Sequence, residues 1–149
     1  MSHISFSALK LWNECPFKYK LHYKDKISSF LGNAYTAFGS AMHTVCEKTL
    51  LGEWEISESG RKFQLSFAEE FKSLPLEIKN ESDKKLIKSM FSQGTSLAPL
   101  AIPYLKEYFG EFEIISSEEQ LFEPIVEFEE EDYDFKGFID LVLKTSDGK

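Results

Sequence analysis

GFIDLVL, residues 137–143, is the stretch on which the fold turns. It reads as a strand that is apolar on both faces except for one carboxylate, Asp140. Phe138, Ile139, Leu141, Val142 and Leu143 flank that carboxylate. Burying it among them is costly unless something pairs it, and a metal ion, an Arg or a Lys would each do so. Working outward, Tyr133–Thr145 reads as one strand, with 113–122 and 124–130 as two strands before it. EEEDYD, residues 129–134, marks a hairpin turn, and Asp147-Gly148 begins another.

Upstream of Phe112 the texture is helical. Residues 5–23 repeat apolar side chains (Leu9, Trp12, Phe17, Leu21) at helical spacing, with Ser5 or Ser7 as N-cap and an interruption at Pro16. Residues 24–36 read as a polar connector. Further helices are expected over 37–51 and 57–74, the second capped by Ser57 or Ser59 and stopped by Pro75. A helical stretch opening at Ser82 is expected to break in two around Gly94, Pro99 and Pro103, with Gly110 as C-cap. Helices first and strands last predict an α+β fold: a helical part, 1–110, followed by an antiparallel β-meander, 111–149, in one domain. A turn after a strand ordinarily leads into a partner strand, so residues 1–149 are expected to be the front part of a larger domain.

Composition narrows the class. Apolar residues are 42% and charged residues 28%, enough to form a packed core, so disorder is excluded as the main state. No run approaches about 18 apolar residues, and MSHISFSALK lacks the apolar core of a secretory signal. Two cysteines do not make a disulfide framework, and a cytoplasmic, reducing home with no membrane association is expected. The net charge is −8, but it is unevenly spread. Residues 1–26 carry five Lys against Glu14 and Asp25, +3 in all, whereas the rest carries 12 basic and 23 acidic side chains, −11. A basic, aromatic-rich strip of this kind suits nucleic acid, although a solvated helix face has the same composition.

Four constellations carry chemistry. His43 and Glu47, four apart on one helix, share a face and pair an imidazole with a carboxylate; Gly39 and Ser40 before them are small enough to allow close backbone approach. Asp140 is the second. Glu118-Glu119 is the third, and because strand residues alternate only one of the two can point at Asp140. The acidic run at 129–132 lacks the spacing and Gly of a calcium loop. The fourth is Cys15-Pro16-Phe17-Lys18-Tyr19 with Lys20, Tyr23 and Lys24. One Cys cannot hold a cluster, and Cys46 reads as a buried small apolar residue. No Walker loop, CxxC pair or Gly-x-Ser-x-Gly elbow is present.

Taken in order, these pieces resemble the PD-(D/E)XK nuclease superfamily, in the branch of RecB, AddB and Cas4-like nucleases. ISFSALKLWNECPFKYKLHY resembles that branch's opening helix and its Cys-Pro-x-(Lys/Arg)-Tyr. FGSAMH, 38–43, is similar to its Gly-x-x-x-His motif, EEQLFEPI to its first core strand, and GFIDLVL to its Gly-x-(Ile/Val)-Asp strand. The resemblance implies the first part of a restriction-endonuclease-like core that hydrolyses DNA phosphodiesters with Mg²⁺ or Mn²⁺. His43 and Asp140 would be the metal ligands, with Glu119 as a further catalytic and metal-binding candidate. Lys18, Tyr19, Lys20 and Lys24 would follow the DNA backbone. Partners implied are single- or double-stranded DNA and a helicase, recombination or CRISPR protein.

The family's next strand carries Asp/Glu-x-Lys. Asp147-Gly148-Lys149 spells that motif but sits in a turn signal, so the true motif is expected beyond it and these 149 residues alone are expected to be inactive. Cys15 would ligate a 4Fe-4S cluster only in a longer parent. Two other readings fit the same residues: a non-catalytic nucleic-acid- or protein-binding module on a degenerate nuclease scaffold, and a core completed by a second polypeptide.

Overall fold

The computed structural model describes residues 2–27, 31–125 and 133–146. In chain order its elements are β1 (Ser2–Ser5), α1 (Phe6–Glu14), α2 (Pro16–Tyr19), α3 (Ala34–Leu50), α4 (Ser59–Ser73), α5 (Leu76–Glu81), α6 (Lys84–Leu97), α7 (Ala101–Phe109), β2 (Phe112–Ile125) and β3 (Tyr133–Thr145). The fold mixes helices with a three-stranded sheet, as expected of an α+β chain. No helix among the described residues is long and apolar enough to cross a membrane. The residues group into two compact units: 1–29 with 113–149, and 30–112.

The first unit holds the sheet. Its strand order is β1-β3-β2, and β1 runs parallel to β3, with Ser2 opposite Tyr133 and Ser5 opposite Lys136. The sheet is therefore not a purely antiparallel meander. Of these four residues only Ser5 is assigned a role by the sequence, as a helix cap; the strand itself depends on a partner far away in sequence. Ser5 does both jobs: it ends β1 and its hydroxyl accepts the Ala8 N–H at 3.1 Å, capping α1. Pro16 breaks the opening helix as expected. Cys15 sits extended at the break, and α2 restarts with Pro16 in its first turn. A π-helical turn, Lys20–Lys24, follows.

Where two strands were expected over 113–122 and 124–130, the described part is one strand, β2, running unbroken to Ile125. The hairpin expected at 129–134 falls largely outside the described residues, as does the turn at 147–148. Side chains tie β2 to β3: the Lys136 ammonium lies 5.4 Å from the Phe122 ring and 5.3 Å from the Phe138 ring.

The second unit is helical and holds the larger core. Asn33 opens α3 with a capping box: its side chain accepts from Tyr35 and Thr36 N–H, and the Thr36 hydroxyl accepts the Asn33 N–H. That box starts the helix three residues earlier than the apolar pattern suggested. Ala34, Ala37, Ala41 and Val45 form its buried stripe against Phe63, Phe67 and Met90. The small residues let α4 come close, and Phe63 and Phe67 stack at 5.6 Å between ring centroids. Pro75 ends α4 but also caps α5, a helix absent from the sequence expectation. Gly94 does not break α6. It is buried in mid-helix, where a Cβ would overlap the Phe63 ring. Gly110 ends α7 at φ 72°, a conformation glycine adopts without strain.

Candidate metal centre

Asp140 stands midway along β3, in the strand that the sequence singled out. Its side chain is exposed, and Phe138 beside it is 59% exposed. Asp140 is therefore not the buried carboxylate expected of an apolar strand; what marks it is its neighbour. A carboxylate oxygen of Glu118 on β2 lies within 4.8 Å of one on Asp140. The Ser117 hydroxyl, next in β2, donates to the Asp140 carbonyl at 3.4 Å.

The backbone explains why Glu118 holds this place. Exposed and half-buried residues alternate along Phe112–Ser116, then Ser116 and Ser117 are both half-buried. Glu118 itself has φ 52°, in the left-handed region that a non-glycine residue rarely enters. A left-handed residue inside a strand acts as a β-bulge does: it resets which side the following side chains face. Glu119, the residue favoured by the motif match, instead accepts a hydrogen bond from the Ser116 hydroxyl at 2.6 Å. No feature of IISSEEQLFEPI announces the slip, so counting alternate residues could not choose between the two carboxylates.

Two carboxylates this close offer several hard oxygen donors, the set that Mg²⁺ and Mn²⁺ favour over softer metals. A divalent cation would also relieve the repulsion between them. His43 lies on α3 in the helical unit, exposed, with Glu47 one turn further on. Cys46 on the same helix is half-buried, and burial pushes its thiol above the ordinary value of 9.0. Cys15 is half-buried, its Sγ accepting the Lys18 N–H at 3.5 Å, and Asp147-Gly148-Lys149 lies outside the described residues.

The basic strip takes a definite form. Tyr19 is held between Trp12, edge-on at 5.3 Å, and Tyr23, stacked at 5.2 Å. Its ring is thus engaged within the protein, whereas Trp12 and Phe17 are 52% and 66% exposed. Lys18, Lys20 and Lys24 are exposed around this ladder, and Lys20 makes a loose ion pair with Asp25 at 3.7 Å. Single π-helical turns recur at functional sites, and this one carries Lys20 and Lys24.

No curated protein and no solved structure matches the chain significantly. A family model does match, and it covers residues 3–149. From His3 in β1 through both carboxylates of β2 and β3, the described residues lie within that match: the chain belongs to the PD-(D/E)XK nuclease superfamily.

Proposed function

We propose that this chain serves a metal-dependent DNA nuclease of the RecB, AddB and Cas4-like type, with Asp140, Glu118 and His43 holding Mg²⁺ or Mn²⁺. Superfamily membership supplies the reaction class and implies a nucleic-acid substrate. The observation that carries the metal assignment is the Glu118–Asp140 carboxylate pair. His43 enters on the Gly39-x-x-x-His43 motif and would add a nitrogen donor. Glu119, implied by the strand motif, is the alternative to Glu118.

When bound, the metal would lower the pKa of a coordinated water and offset charge developing on the phosphate. The protein's part is to fix its donors. Asp140 is set by a regular strand, and Glu118 is turned beside it by its own backbone. Lys18, Lys20 and Lys24 would attract the phosphate backbone, leaving Trp12 and Phe17 to meet bases.

The test is Mn²⁺ titration followed by thermal unfolding, with cleavage of linear and single-stranded DNA by the full-length protein alongside. Wild type should be stabilised as Mn²⁺ rises, by an amount set by the ratio of metal to Kd. Asp140→Asn and Glu118→Gln should each lose most of that shift and reduce cleavage at least 100-fold, while Glu119→Gln should keep both. Metal stabilisation that survives Asp140→Asn would sink the assignment. DNA binding with no metal response in wild type would favour a non-catalytic binding module instead.

A further inference from the structure

The helical unit carries a second feature that the nuclease motifs do not touch. Between the end of α4, α5 and the start of α6 lies an open cavity of about 460 Å³. Phe71, Ile87 and Phe91 give it an apolar floor, and Lys79, Lys84 and Lys88 stand around it. No carboxylate among the described residues lines it, in a chain whose net charge is −8.

The arrangement leaves apolar surface and positive charge unmatched if nothing binds. Phe91 is 38% exposed beside a half-buried Phe71, the last ring of the core's aromatic series. Lys84 and Lys88 are four apart on α6, so like charges share one face. Neither is ion-paired among the described residues. Lys79 donates to the Lys72 carbonyl at 2.8 Å, which leaves two of its N–H groups for another acceptor.

We infer that this cavity is a binding site for a single-stranded DNA segment, with a base against Phe71 and Phe91 and flanking phosphates on Lys79, Lys84 and Lys88. The charge calls for a polyanion. The aromatic floor calls for an exposed base face, which a duplex hides within its stack. The volume suits one nucleotide-sized group. This inference rests on the nuclease reading and adds to it a single-strand preference with a second contact outside the metal centre.

Fluorescence anisotropy with labelled oligothymidylate in EDTA tests it. Lys84→Gln/Lys88→Gln should bind roughly tenfold more weakly, and the slope of log K against log salt should fall by about 1.4, near 0.7 per single-strand phosphate contact. Phe91→Ala should also weaken binding roughly tenfold, as loss of one stacked base does. Affinity should rise with oligonucleotide length, and a duplex should be insensitive to Phe91→Ala.

Wild-type affinity in both variants, with unchanged circular dichroism and melting temperature, would overturn the site. So would thymidine monophosphate competing as well as the oligonucleotide, which would make it a free-nucleotide pocket. Asp140→Asn separates the two ideas. If it abolishes the Mn²⁺ response while the pocket variants bind normally, the nuclease reading stands and this one falls. If wild type binds neither DNA nor Mn²⁺, both fall.

Discussion

Glu118 is in a backbone conformation that costs a non-glycine residue about 1–2 kcal/mol. That strain gives a way to separate stability from function at one position. Glu118→Gly removes the carboxylate and suits φ 52°, so metal-free stability should stay within about 1 kcal/mol of wild type while the Mn²⁺ shift disappears. Urea unfolding with and without Mn²⁺ measures both. Cys46 makes a second residue-scale prediction. Burial raises its folded pKa, so above the ordinary value of 9.0 the unfolded thiol ionises first. The group's contribution to stability is therefore lost as pH rises past 9.0, and a maleimide at pH 8 should modify Cys46 more slowly in the folded chain than in urea. At this scale the sequence was half legible. Asp140 stood out as a lone carboxylate in an apolar strand, but the reason offered, burial, is not what distinguishes it. For its neighbour the alternation left Glu118 and Glu119 both open, and the left-handed backbone at Glu118 that brings that carboxylate to Asp140 is nothing a pattern of two can reveal.

Among the elements, the closeness of α4 and α6 depends on two glycines. At Gly94 a Cβ would overlap Phe63, which is fully buried, and at Gly60 it would meet the Thr95 carbonyl oxygen at 2.8 Å. Neither neighbour can swing aside. Gly94→Ala should therefore destabilise the helical unit by about 1–3 kcal/mol, the usual range for overpacking, despite alanine's higher helix propensity. Gly39 is the internal control. It lies inside α3, yet a Cβ there would meet nothing within 4 Å, so the close approach expected from its small size is absent among the described residues. Gly39→Ala should stabilise by about 0.5–1 kcal/mol. Midpoints of urea unfolding for the two variants should move in opposite directions. If Gly39→Ala also slows DNA cleavage, the missing side chain matters for substrate approach. Some caps and stops were marked in the sequence, as at Ser5, Pro16 and Gly110, because each rests on a local hydrogen bond or a backbone preference. That of α4 was not, since Glu58 rather than Ser57 or Ser59 is its N-cap, with no side-chain hydrogen bond, and the Ser59 hydroxyl donates to the Ile56 carbonyl instead. The packing role of Gly94 was not, since a helix-breaking residue and a close-contact residue look alike until the partner helix is placed.

For the whole molecule, the main long-range fact is the parallel pairing of residues 2–5 with 133–136. Four residues, Ser-His-Ile-Ser, carry no strand signal of their own, and only the waiting edge of β3 makes them one. Family membership spans this same length of chain, so the order of short motifs was a better guide to the fold than any single element. Charge is the other molecule-wide property. An acidic chain repels nucleic acid at long range, so a DNA contact must be made by a locally positive surface, and residues 1–26 supply +3. Binding through Lys18, Lys20 and Lys24 should then be strongly salt-dependent. Replacing all three with Gln should reduce the slope of log K against log salt by about 2 for a single strand. The three should not be equal: Lys20 already faces Asp25 at 3.7 Å, so Lys20→Gln alone should matter least. Anisotropy titrations at four or five salt concentrations give the slopes. A slope unchanged in the triple variant would mean that the strip is a solvated helix face, and that the chain's positive contacts to DNA are made by other lysines.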